Sequence, residues 1–135
     1  MTPETAELLI RTGPGTAMGN LMRRYWVPVL LSSEIAAPDG PPVHIKILGE
    51  KLLAFRDSKG RAGLVDEFCA HRGATLFLGR NEEGGIRCSY HGWKYDITGQ
   101  CVDLPQVPSL CAKMKIAAYP CIERGGVVWA YLGPP

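Results

Sequence analysis

The chain has 135 residues, 46% of them hydrophobic, and a formal net charge of +2. That length suits one domain with its own core. The small charge forms no basic stripe for nucleic acid, and no apolar run approaches the ~20 residues that span a bilayer.

Glycine (16) and proline (11) are abundant, favouring short strands and frequent turns over long helices. Thr2 before Pro3 predicts a capped helix running to about Arg11. Thr12-Gly13-Pro14-Gly15 breaks it, and Thr16 caps a second helix through Arg24, with Leu21 and Tyr25 on one face. Strands follow. Residues 26–31 are apolar and β-rich, and residues 43–48 alternate, with Gly49-Glu50 as a two-residue hairpin turn into 51–56. A turn at 57–60 leads to a strand over 62–67, another at 81–85 leads to Ile86-Arg87, and strands over 94–97, 100–103, 115–119 and 127–132 complete an antiparallel series. The expected architecture is an all-β domain of stacked antiparallel sheets (32–135), carrying a short helical leader (1–31).

Two clusters interrupt the strands: Cys69-Ala70-His71-Arg72-Gly73 and Cys88-Ser89-Tyr90-His91-Gly92-Trp93. Each pairs a thiolate with an imidazole and runs into a glycine. Those residue types suit an iron–sulfur cluster and also zinc. Zinc knuckles usually space their ligands C-x2–4-C and H-x3–5-H, and the C-x-H and C-x2-H pairs here fit that poorly.

The two clusters resemble the C-x-H-R-G…C-x-Y-H-G-W signature of Rieske ring-hydroxylating oxygenases, with Ala70 where that family usually has Pro. The leader (Arg11-Thr-Gly-Pro-Gly-Thr, then Met18 through Trp26-Val-Pro-Val-Leu) is similar to that of phthalate-dioxygenase-like oxygenase components. So are Leu48-Gly49-Glu50, Ala54 to Asp57, Leu64 to Glu67 and Leu78 to Glu82. The resemblance implies a Rieske [2Fe–2S] fold in which two hairpin loops bind the cluster. Cys69 and Cys88 would hold the inner iron, and His71 and His91 the outer iron near the surface. Arg72, Gly73, Tyr90, Gly92 and Trp93 would form the cluster environment, the glycines letting backbone N–H groups approach the sulfides.

With only two thiolates the oxidised site is neutral, so an added electron meets less repulsion than at a four-thiolate cluster. Respiratory Rieske proteins add a disulfide between the loops and a sulfur-bonding Ser. The corresponding positions here are Ala74 and Tyr90, and Trp93. A potential toward the lower end of the family's roughly −150 to +300 mV span is therefore expected.

The family's oxygenases also need a mononuclear Fe(II) held by two His and a carboxylate. Of three histidines the cluster takes two, and His44, on the polar phase of its strand, reads as a surface or capping residue. Oxygen activation is therefore expected in a catalytic domain outside this chain, of the same or a neighbouring subunit in a homotrimer. A flavin and iron–sulfur reductase would supply the electrons, with Arg72, Arg80, Arg87 and Lys94 able to meet an acidic partner or simply to form a solvated rim. A stand-alone Rieske ferredoxin is the alternative, although it needs no such leader. Cys101, Cys111 and Cys121 are too widely spaced for a local chelate and read as structural thiols. The odd cysteine count and the lack of a signal-peptide pattern suggest the cytoplasm, with neither membrane nor nucleic acid as partner.

Overall fold

The computed structural model describes residues 1–134. Helix α1 (Pro3–Ile10) begins at Thr2, whose hydroxyl accepts the Thr5 N–H, and α2 (Ala17–Met22) begins at Thr16, which caps the Gly19 N–H. α2 stops short of the expected Arg24, because Arg24 and Tyr25 donate three residues back, to Leu21 and Met22, and tighten the last turn. Leu21 and Tyr25 both face solvent.

Three antiparallel sheets follow. The first orders β1 (Trp26–Leu31), β11 (Val127–Tyr131) and β10 (Cys121–Arg124). The second orders β2 (Val43–Ile47), β3 (Glu50–Arg56), β4 (Ala62–Asp66) and β9 (Ala118–Tyr119). The third orders β5 (Arg80–Glu82), β6 (Gly85–Arg87), β7 (Lys94–Tyr95) and β8 (Cys101–Asp103).

The β2–β3–β4–β9 sheet is the middle layer, which explains the unbroken apolar run Leu52-Leu53-Ala54-Phe55. On one face Leu53, Phe55 and Val65 pack with Leu76, Ile86, Trp93, Tyr95 and Leu104 beneath the two Cys/His segments. On the other, Leu52, Ala54 and Leu64 pack with Leu30, Val128, Ala130 and Leu132 of the first sheet. A strand buried on both faces loses the period-two alternation that a half-buried strand shows.

Polar clasps close the second core. The buried Arg23 guanidinium donates to the carbonyls of Thr12, Gly19 and Leu48 and to the Glu50 carboxylate (2.8 Å). Glu50 in turn accepts the Tyr119 hydroxyl. Arg56 donates to both carboxylate oxygens of Glu123 (2.6 and 2.9 Å), tying β3 to β10.

The β2–β3 turn is Leu48-Gly49 rather than Gly49-Glu50, since Ile47 pairs with Glu50. Leu48 and Gly49 both have positive φ (49° and 78°), the backbone of a type I′ hairpin turn, in which glycine fits the second position. The turn expected over 81–85 contracts to Glu83-Gly84, flanked by β5 and β6. Arg80-Asn81-Glu82 reads as turn because it is polar. It pairs with β6 as a strand, and the buried Asn81 amide anchors it by donating to the carbonyls of Gly40 and Arg56.

Candidate metal centre

The two Cys/His segments form matched six-residue loops. In the first, between β4 and the 3-10 turn Leu76–Leu78, the Cys69 N–H donates to Ala74 O (2.9 Å) and the Gly73 N–H returns to Cys69 O (2.9 Å). In the second, between β6 and β7, Cys88 N–H donates to Trp93 O (2.7 Å) and Gly92 N–H returns to Cys88 O (3.0 Å). Gly73 and Gly92 both sit at positive φ (70° and 80°), which lets each loop fold back on its own cysteine. Their own N–H groups are spent on these closures, so an amide approaching a sulfide would have to come from their neighbours.

The loops bring the four expected ligands together in two tiers. Cys69 and Cys88 are buried at 4% and 3% exposure. Above them the His71 and His91 rings meet edge to face, centroids 4.6 Å apart. Trp93 lies parallel to His71 (4.4 Å, 7°) and Tyr90 meets His91 edge to face (4.0 Å). Among the cluster-environment residues, Trp93 is thus a buried roof on one imidazole, and Tyr90 an exposed flank to the other. Arg72 faces solvent.

Tyr95 is the residue sequence reasoning missed. It is fully buried, its hydroxyl lies 3.2 Å from Cys69 Sγ, and it accepts the Ala70 N–H at 3.2 Å. The available signal was weak: a Tyr two residues beyond Trp93 on a strand, with a hydroxyl that burial obliges to find a partner. Two more contacts outside the motif brace the second loop. Arg87 donates to Gly92 O (2.6 Å) while pairing with Asp103 (2.9 Å), and the Gln106 amide donates to His91 O (2.6 Å).

Burial pushes the Cys69 thiol up, opposed by hydrogen bonds from the Tyr95 hydroxyl and the His71 backbone. Desolvation, then the neighbouring His91 and Arg72, hold His71 below its ordinary value although the residue stays largely exposed. Both imidazoles are metal ligands only when neutral, and thiols only when deprotonated. A bound cation would favour both forms.

Of the four rim cations, Arg72 and Arg80 are exposed. Lys94 is not: it is 5% exposed and its ammonium donates to Glu83 O (2.6 Å), because β7 turns that side chain under the β5–β6 hairpin. Arg87 is half-buried in its own contacts. His44 stacks on Phe77 (3.9 Å) and pairs with Glu67 (3.2 Å). Of the three remaining cysteines, two meet unexpectedly: the Cys101 and Cys111 sulfurs are 3.1 Å apart.

A single ion and a two-iron cluster ask different things of this donor set. A structural zinc ion needs four ligands converging on one point. Among the described residues no three His, Cys, Asp or Glu side chains converge so. A [2Fe–2S] centre asks each iron for two protein ligands, one thiolate pair and one imidazole pair, and the two tiers fit that demand. So does His91 Nδ1, a buried atom without a hydrogen-bond partner, which a metal would satisfy.

Fold and site together define an iron–sulfur domain of the Rieske class. The chain belongs to the Rieske [2Fe-2S] domain family, which matches residues 25–120. It is 48% identical over 137 aligned positions to the phthalate 4,5-dioxygenase oxygenase subunit of Pseudomonas putida, covering 99% of this chain and 31% of that protein. It is 52% identical to the 3-chlorobenzoate-3,4-dioxygenase oxygenase subunit of Comamonas testosteroni (94% of this chain, 30% of that one). Among solved structures, dicamba monooxygenase with non-heme iron and dicamba superposes with a TM-score of 0.77 at 29% identity, over 86% of this chain and 35% of that one. The chain thus spans about a third of the length of these relatives. No helix among the described residues is long and apolar enough to cross a membrane.

Proposed function

We propose that this chain is the electron-carrying domain of an aromatic-ring hydroxylating oxygenase of the phthalate-dioxygenase type. Cys69 and Cys88 would hold the inner iron and His71 and His91 the outer iron. The observation that carries this reading is the buried thiol pair beneath an imidazole pair whose His91 Nδ1 lacks a partner. When bound, the cluster supplies reversible one-electron carriage. Cys69 and Cys88 are themselves buried, and the Tyr95 hydroxyl offers a hydrogen bond to negative charge on Cys69. Trp93 fixes the plane of His71, whose exposed edge is the short route off the domain.

By the same reading, a flavin and iron–sulfur reductase donates the electrons and a mononuclear Fe(II) in a catalytic domain outside this chain receives them, in a homotrimer located in the cytoplasm. Similarity that runs through the helical leader, over 99% of this chain, favours the oxygenase over a stand-alone ferredoxin. The leader (1–31) packs on the remainder (32–135) as one folding unit, supported by the Arg23 contacts and by the pairing of β1 with β11.

The test is reconstitution with iron and sulfide. The chain should acquire a Rieske visible spectrum, a paramagnetic signal on one-electron reduction, and a midpoint potential below zero. His91→Ala should abolish the spectrum; an unchanged spectrum in that variant would overturn the ligand assignment, and a midpoint well above zero the oxygenase-type reading.

A further inference from the structure

Beneath the second loop lies a pair of nucleophiles that the cluster does not use. Cys101, on β8, is 3% exposed, and Cys111, on the 3-10 segment Pro108–Lys113, is half-buried. The Cys111 thiol donates to Cys101 Sγ at 3.1 Å. A disulfide needs about 2.0 Å between sulfurs, so they must close by roughly 1.1 Å. Gln100 already gathers the two segments, its amide donating to the carbonyls of Cys101, Cys111 and Met114. Within the loop that this pair would close sit Pro105, against Gly92, and Gln106, the donor to His91 O.

We propose that Cys101 and Cys111 are an oxidisable pair whose disulfide fastens the segment bracing the His91 loop. The oxidant is a small soluble disulfide such as oxidised glutathione. Cys111, the less buried of the two, attacks it as the thiolate, releasing one glutathione thiolate and leaving a mixed disulfide. Cys101, on losing its proton, then attacks the Cys111 sulfur and expels the second glutathione. Two protein thiols are oxidised, one glutathione disulfide is reduced to two thiols, and the two protons leave with them. Burial, then the Cys111 contact, pushes the Cys101 thiol up to about 12, so the second step is the slow one.

The experiment uses the cluster-loaded protein, with the visible spectrum confirming that Cys69 and Cys88 stay engaged. Trypsin cuts after Lys94 and Lys113, so both thiols fall in one peptide, residues 95–113, which holds no other cysteine. After oxidised glutathione that peptide should lose two hydrogens and regain them with a phosphine reductant. Cys101→Ser should instead trap glutathione on Cys111, and Cys111→Ser should leave the peptide unmodified. Release of the cluster to an iron chelator should slow by about tenfold in the cross-linked protein. A wild-type peptide that stays reduced, or keeps glutathione without losing it to Cys101, would overturn the pair. Release at an unchanged rate after cross-linking would overturn the brace.

Discussion

The two faces of the middle sheet solve different problems. One face, with Leu52, Ala54 and Leu64, joins the longer strands of the first sheet in an apolar core sealed by the Arg23 and Arg56 clasps. The opposite face, with Leu53, Phe55 and Val65, supports a sheet whose strands are only two or three residues long. Such strands contribute few ladder hydrogen bonds, so their position depends on what packs between them: Tyr95, Trp93 and the two buried cysteines. The first face supplies stability. The second supplies a shaped surface on which two loops gather the proposed cluster ligands, and it depends on a few specific polar contacts.

Changes on the two faces should therefore separate into different observables. Arg23→Ala, in the clasp below the middle sheet, leaves Glu50 without its buried partner and should cost about 3 kcal/mol in urea unfolding while leaving the midpoint potential in place. A shifted potential would mean the two faces are coupled. Tyr95→Phe, on the cluster face, removes the donor to Cys69 Sγ. A hydrogen bond to a charged group is worth roughly 1.5 kcal/mol, so the midpoint should fall by about 60 mV in a redox titration. The direction follows because the donor favours the more negative, reduced state.

Gln106→Ala removes one neutral hydrogen bond to His91 O, worth about 1 kcal/mol, so cluster release to a chelator should quicken by about fivefold with little change in potential. The smallest effect belongs to acid. The Arg56 hydrogen bonds draw Glu123 down to about 2. Its contribution is present above the unfolded carboxyl value of about 4.3 and is lost as pH falls toward 2. The thermal unfolding temperature should thus fall across that acid window, less steeply in Glu123→Gln. The partial exposure of this ion pair keeps the difference small.

Much of this arrangement was legible in the residues. The capped helices, most strands and the two Cys/His segments follow from Thr2-Pro3, from alternating runs and from the C-x-H and C-x2-H pairs. The layering was not, because Leu52 to Phe55 is apolar on both faces and carries no phase. β5 was hidden for a different reason: its polar side chains read as turn, although it pairs with β6 and the buried Asn81 amide anchors it to Gly40 and Arg56. Lys94 and Cys101 show the same limit at the site. A lysine or a thiol announces its chemistry by type, but whether it meets solvent, a carbonyl or another sulfur is decided by segments distant in sequence.

In the proposed centre two imidazoles and two thiolates hold one [2Fe–2S] cluster. Three histidines make it directly measurable: protein labelled with ¹⁵N only in histidine, reconstituted and reduced by one electron, is read by pulsed electron paramagnetic resonance. Two coupled histidine nitrogens are expected, both retained in His44→Ala. A spectrum with one coupled nitrogen or none, or the loss of a coupling in His44→Ala, would contradict it.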